Sequence, residues 1–216
     1  MPFPKRDGDT VRLDSNHYNK DYFTPGPKSS YTKPFTWEVE AEGNIKMAQW
    51  LKDRFHPQAV LELGCAKGFL LKALLQIGIE GYGCDISKWA VENYEPEAKG
   101  RLKVADIRNG LPYPDNSFDL ICSLSTLEHI EMEYLPHVAS EMARVTKKWV
   151  VISIPIVLSN ENKPWGDPSH RTYMPASYWI SLFYQQGLIC DLRTSKQEDE
   201  NPYHSVTLIL SKGGLS

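Results

Sequence analysis

Two glycines, Gly64 and Gly68, separate the apolar run Val60-Leu61-Glu62-Leu63 from the helix-forming run Phe69-Leu70-Leu71-Lys72-Ala73-Leu74-Leu75. A strand that turns on glycine straight into a helix lets the backbone come close to a ligand, because neither glycine presents a Cβ to it. Farther on, Gly81-Tyr82-Gly83-Cys84 reads as a second strand and ends in Asp85. An acid there lies at about the distance at which a nucleotide-binding βαβ unit sets a carboxylate on ribose hydroxyls. Together these residues predict a cofactor site. They match the dinucleotide pattern G-x-G-x-x-G poorly, since Ala66 and Phe69 occupy the places of its second and third glycines. Proton chemistry would fall to histidine, whose ordinary pKa of about 6.5 suits it to take a proton from a hydroxyl near neutral pH. His129 and His170 follow predicted strands on loops, whereas His17, His56 and His137 fall on an arm, a helix end and a helix face, and His204 starts the last strand.

The elements that must position these groups alternate between strand and helix. Residues 1–36 are polar, rich in Pro, Gly and Ser, and carry the aromatic series Tyr18, Tyr22, Phe23, Tyr31 and Phe35. Such a segment makes no core of its own; it is expected as an arm whose aromatics pack on the body, or as a lid over the site. Residues 37–216 then form one domain. Met47, Trp50, Leu51 and Phe55 recur at helical spacing over 38–55, with acids early and bases late, as a helix dipole favours. Strands follow over 59–63, 81–84, 101–105, 118–123 and 149–154, the first and the last rich in apolar residues and so buried. Helices are expected over 69–75, over 87–94 with Ser87 as N-cap, along the stripe Leu135, Val138, Met142 and Val145, and over 175–186. Two closing strands, 188–193 and 205–210, flank a polar run. The loop 159–173 holds Asn160, Asn162, Trp165, Asp167, His170 and Arg171, and loops at strand ends are where open α/β sheets bind substrates.

The segment Glu62-Leu63-Gly64-Cys65-Ala66-Lys67-Gly68 resembles the first motif of the class I S-adenosylmethionine-dependent methyltransferases, an acid, any residue, then Gly-x-Gly-x-Gly, with Ala66 in place of the middle glycine. The run Gly110-Leu111-Pro112-Tyr113-Pro114-Asp115-Asn116-Ser117-Phe118-Asp119 resembles that family's loop before its fourth strand, and Leu127-Glu128-His129-Ile130 its turn over the methyl group. The resemblance covers about residue 45 to the end. It implies a Rossmann-like α/β fold with a seven-stranded, mostly parallel sheet, a terminal antiparallel hairpin and helices on both faces. It also implies S-adenosyl-L-methionine as cofactor. By the same resemblance Glu62, Gly64, Cys65, Ala66 and Gly68 surround the methionine moiety, Asp85 takes the ribose, and Ile86 lies against adenine. Asp106 and Ile107 meet its far edge, and Ser123 and Leu124 supply backbone near the sulfonium. His129 is the expected base, and His170, with Asp167, Arg171 and Tyr173 beside it, the expected acceptor ligand or alternate base. Against this stands the common case of a lone histidine that only makes structural hydrogen bonds.

Composition bounds the function. The 216 residues carry a formal charge of -3 and no basic run interleaved with aromatics, which argues against bulk nucleic acid as partner. The longest apolar run, 149–158, is broken by Pro155, and the first residues lack an apolar stretch of signal-peptide length, so no membrane partner is expected. Cys65, Cys84, Cys122 and Cys190 have no C-x-x-C spacing and read as reduced thiols of a cytoplasmic protein. His129, Asp167 and His170 are a trio with ligand atoms for an ion; without His-x-x-Glu-type spacing or paired cysteines, no metal is expected. The expectation is therefore methyl transfer to oxygen on a small polar metabolite, with sugars and nucleotide-linked sugars among the acceptors. A nicotinamide-dependent oxidoreductase and a catalytically silent binding module are the alternatives. Oligomeric state is not legible.

Overall fold

The computed structural model describes residues 13–27, 29, 31–156, 167–192, 196–198 and 205–213. Its centre is β1 (Ala59–Leu63), flanked by β2 (Glu80–Asp85) on one side and β4 (Phe118–Leu124) on the other. Beyond them lie β3 (Leu102–Val104) and β5 (Thr146–Pro155), all five running parallel in the order β3-β2-β1-β4-β5. The chain winds outward from β1 to β3, then returns to the far side of β1 for β4. The order thus reverses between β1 and β4, and an open sheet leaves its binding crevice at that point, outside the strand C-termini.

Side-chain alternation explains why the central strands read as apolar runs. Val60, Leu120, Cys122 and Val151 face α1 (Trp37–Phe55) and α2 (Phe69–Gln76). Leu61, Leu63, Ile121, Val150 and Ile152 face the opposite way, with α4 (Leu135–Val145) and α5 (Ala176–Tyr184) over them. The short α3 (Lys88–Glu92) starts at Ser87, whose side chain accepts from the Ala90 N–H as an N-cap should. Asp119 accepts from the Gln58 and Ala59 N–H groups and so pins the entry of β1.

The sheet closes antiparallel, through β8 (Ser205–Lys212) against β5, and two differences from the sequence reading stand out. β5 begins at Thr146, ahead of the apolar run at Trp149. The outer strand of the closing hairpin, expected over 188–193, instead comes in two pieces along one edge of β8: β6 (Leu188–Cys190) and β7 (Lys196–Glu198). β6 stops because Asp191 turns inward towards Arg54, at 3.7 Å, and leaves Leu192 facing solvent, which ends the apolar-in pattern. With β6 and β7 sharing one position, the sheet has the seven expected places.

The described part of the arm has no helix or strand. It is held by its aromatic side chains: Phe23 stacks on Trp89 with ring centroids 5.5 Å apart, and Phe35 lies 4.8 Å from Phe69 at the start of α2. Backbone bonds fix it further, since Ser87 Oγ donates to the Tyr18 carbonyl and the Lys88 N–H donates to Ser15 Oγ. No helix among the described residues is long and apolar enough to cross a membrane.

Candidate active site

A cavity of about 270 Å³ opens at the ends of β1, β2 and β4, and the arm forms its outer wall through Leu13, Tyr18, Tyr22, Phe23, Tyr31 and Phe35. Its floor is the glycine turn. Gly64 sits at φ +77°, and a Cβ there would come within 2.1 Å of Thr126 Oγ1, so only glycine lets β1 and the turn after β4 approach this closely. Ala66 also lines the cavity, at φ +43°, in the left-handed region where an L side chain costs about 1–2 kcal/mol. Gly68 is needed for another reason: it caps α2 at φ +78° and packs on Ala98 and Leu102, and it is not part of the cavity wall.

Two acids face this floor. Asp85 accepts the Ala66 N–H at 2.8 Å and the Ser87 N–H at 2.7 Å, which ties the glycine turn to the end of β2. Burial nevertheless pushes its pKa up. Glu62 is buried, is raised to about 8 by burial and then by the charge of Asp85, and has an Oε2 with no partner. Among the described residues no lysine or arginine pairs with either acid. A buried carboxyl without a partner is costly, so this floor is built for a ligand that brings hydroxyl donors and positive charge. The ribose and sulfonium of S-adenosylmethionine fit that demand. A nicotinamide nucleotide would bring the hydroxyls, but its phosphates would meet the two acids.

Ile86, Asp106 and Ile107 line the next part of the wall. Asp106, however, has both carboxylate oxygens on Arg108: Oδ1 takes Nε at 2.8 Å and Oδ2 takes Nη2 at 3.0 Å. Arg108 is itself buried, donates to both oxygens of Glu131, and reaches back to the Leu13 carbonyl at 2.6 Å. It therefore joins Asp106 and this part of the wall to the arm.

At the other end of the cavity, after β4, the wall is formed by Leu124, Ser125 and Thr126. The Ser123 side chain shares the face of Ile121 and is fully buried; the part expected of Ser123 is a backbone one, on which side-chain direction has no bearing. His129 lines the cavity, with Tyr18 edge-on to its ring. His129 Nδ1 lies 2.9 Å from Ser169 Oγ. Burial pushes the His129 pKa down to about 4, the neighbouring His170 adds to this, and Asp167 opposes it. His170 packs perpendicular to His129 at 4.7 Å but is not part of the cavity wall, which places it behind the expected base. Glu128 stands close by, almost fully buried, raised to about 8 by burial, with Oε2 unpartnered. Glu128, His129 and His170 each offer an atom within 4.8 Å of the others, the group of described residues that could hold a metal ion; Asp167, counted in the expected trio, is replaced there by Glu128.

Sequence reasoning missed Arg108, Glu128, Thr126 and Ser169. Glu128 lies inside the motif that drew attention to His129, yet carried no signal of its own burial. Asn160, Asn162, Trp165 and His204 lie outside the described residues.

Residues 61–153 match the family model described as a methyltransferase domain. Over 140 residues the chain is 29% identical to a probable pectin methylesterase of Arabidopsis thaliana, covering 58% of this chain and 50% of that one. Over 99 residues it is 33% identical to malonyl-[acyl-carrier protein] O-methyltransferase of Halorhodospira halophila, covering 43% and 32%. The chain thus spans half of the first relative's length and about a third of the second's. Among solved structures, magnesium protoporphyrin IX methyltransferase from Synechocystis PCC 6803 with bound SAH matches with a TM-score of 0.63 at 17% identity, over 91% of this chain and 93% of that one.

Proposed function

This chain carries a methyltransferase domain on the class I, Rossmann-like fold, and from that premise we propose that it transfers the methyl group of S-adenosylmethionine to an oxygen of a small polar acceptor. The carrying observation is the pair of buried acids, Glu62 and Asp85, that line the cavity beside the glycine turn with no basic partner among the described residues. The cofactor supplies a methyl group on a sulfonium, already electrophilic, so the protein's task is to hold, aim and accept a proton. Asp85 would hold the ribose hydroxyls, Ile86 and Ile107 the adenine, and the turn from Gly64 to Ala66 the methionine moiety. The arm, residues 1–36, acts as the lid of a body formed by 37–216, and its aromatics exclude water from the cavity.

His129 is the proton acceptor in this reading. A pKa of about 4 keeps its ring neutral at physiological pH, with a lone pair available. His170 packs on the ring from behind, outside the cavity wall, which favours His129 over it as the base. A carbohydrate acceptor is supported by the relative named for pectin and by the polar groups Asp167, His170 and Arg171 beside the cavity. The four cysteines are free thiols, which supports a reducing, cytoplasmic setting. The net charge of -3 supports a small molecule over bulk nucleic acid as partner.

We propose that the reaction needs no metal, with His129 rather than an ion activating the acceptor. Turnover unchanged by a chelator agrees with this; turnover lost to the chelator and restored by a divalent cation contradicts it. Isothermal titration with S-adenosylhomocysteine and with NAD tests the cofactor. Binding of S-adenosylhomocysteine alone is expected, and binding of NAD alone would make the chain an oxidoreductase. Binding without methyl transfer across a panel of sugars and sugar nucleotides would favour the silent module.

A further inference from the structure

His129 stands at the end of a hydrogen-bonded chain that begins in the arm. Tyr22 Oη donates to Asp167 Oδ2 at 3.3 Å, across 145 residues of sequence. The other oxygen of Asp167, Oδ1, accepts both the Ser169 backbone N–H at 2.8 Å and the Ser169 hydroxyl at 2.5 Å. Ser169 Oγ then meets His129 Nδ1 at 2.9 Å. A serine hydroxyl has a single proton. With that proton given to Asp167, Ser169 Oγ can face His129 only as an acceptor, so Nδ1 must carry the ring proton and Nε2 must hold the lone pair. An Asp-x-Ser turn alone would explain the bond between Asp167 and Ser169; it would not require the imidazole on one end or the tyrosine of the arm on the other.

We propose that Ser169 and Asp167 are positioning residues that fix His129 in its Nδ1–H form, with Nε2 bare, and that Tyr22 makes this setting depend on the arm being down. The inference rests on the reading of His129 as base. In the reaction the acceptor oxygen bonds the methyl carbon as the carbon–sulfur bond breaks with its electron pair left on sulfur. The acceptor's proton passes to Nε2. The imidazolium keeps its Nδ1–H directed at Ser169 Oγ, whose own O–H stays intact and donates to Asp167, so the carboxylate steadies the new charge through the hydroxyl without taking a proton. Tyr22 is suited to the first link because burial holds its hydroxyl pKa far above neutrality, which keeps it a donor. Tyr18, edge-on to His129 with ring centroids 6.0 Å apart, limits ring rotation from the same side.

The tautomer can be read without any acceptor. In protein labelled with ¹⁵N-histidine and saturated with S-adenosylhomocysteine, long-range proton–nitrogen correlation spectra distinguish a protonated from a bare nitrogen, and His129→Ala identifies the signal. Wild-type protein is expected to show Nδ1 protonated and Nε2 bare. Ser169→Ala should lower the ratio of that form to the other by about tenfold, the scale of one lost hydrogen bond, while Ser169→Thr, which keeps the hydroxyl, should preserve it. Tyr22→Phe should move the ratio in the same direction by a smaller factor. A wild-type ring protonated on Nε2, or an unchanged ratio in Ser169→Ala, would overturn the proposal, and an unchanged ratio in Tyr22→Phe would remove the arm from it. Should Ser169→Ala fail to fold, the wild-type and Ser169→Thr spectra still decide. A histidine set as described in a protein that binds NAD and not S-adenosylhomocysteine would sink the methyl-transfer reading and leave this arrangement standing.

Discussion

The two ends of the cavity are built differently. The cofactor end is made by the sheet: Gly64, Ala66 and Asp85 come from the ends of adjacent parallel strands, and backbone N–H groups on Asp85 hold it together. The end at His129, the methyl end in the proposed reading, is made by side chains from three distant segments, Tyr22 in the arm, His129 after β4 and Ser169 after β5. Topology guarantees the first arrangement once the sheet forms. The second exists only when the arm and the loop come together over it. Damage at the cofactor end should therefore appear in binding and stability, and damage at the methyl end in turnover.

The largest effect that separates the ends is expected from His129→Ala. Turnover should fall by about 10²-fold or more, the usual scale for a general base, with affinity for S-adenosylhomocysteine nearly unchanged. Near-normal turnover with an accepted substrate would shift the role to His170 or to a reaction that needs no base. Asp85→Ala should act in the opposite column, weakening S-adenosylhomocysteine binding by about tenfold to a hundredfold through loss of hydrogen bonds worth about 1.5–3 kcal/mol to a charged acceptor. An unchanged dissociation constant would place the cofactor elsewhere.

Smaller effects sharpen the contrast. Ala66→Gly should raise stability by about 0.5–1 kcal/mol, because relief of the left-handed backbone at φ +43° exceeds the added freedom of the unfolded chain. A lower melting temperature in chemical denaturation and heating would show that the methyl group of Ala66 packs favourably enough to offset its backbone. Glu62 and Glu128 have folded pKa values of about 8, above the ordinary 4.5, so the unfolded chain releases their protons first. Their contribution to stability is full below the ordinary value and is lost as pH rises through about 8. His129, held at about 4, acts with the opposite sign and only below its ordinary 6.5. Melting temperature should thus fall between about pH 6.5 and 8, and less steeply in Glu128→Gln. Equal slopes in the two proteins would mean that Glu128 is charged in the native state.

The same difference in construction decides what the sequence revealed. β1, the glycine turn and Asp85 are legible because their signals are local: an apolar run, two glycines, an acid at a strand end. Ser87 is legible as a cap for the same reason. Gly68 fits the motif, and its φ of +78°, with Ala98 and Leu102 lying where a Cβ would go, is a packing demand the motif alone does not reveal. Alternation along β4, invisible without the sheet, turns the Ser123 side chain inward and leaves only its backbone for the part the resemblance implies. Arg108 is the clearest omission. Its contacts, Asp106 beside it, Glu131 after β4 and the Leu13 carbonyl in the arm, meet only in three dimensions, and an arginine in a short turn reads as surface until they do. Ser169 was hidden likewise, since its role depends on a histidine 40 residues away.

The account stands on the claim that the floor between Glu62 and Asp85 receives a sulfonium nucleoside. Isothermal titration of the intact chain with S-adenosylhomocysteine, set beside NAD and beside the Asp85→Ala variant, tests it most directly. The prediction is saturable binding of S-adenosylhomocysteine at one site, weakened in Asp85→Ala, with no heat from NAD. Saturable binding of NAD with none of S-adenosylhomocysteine would contradict it.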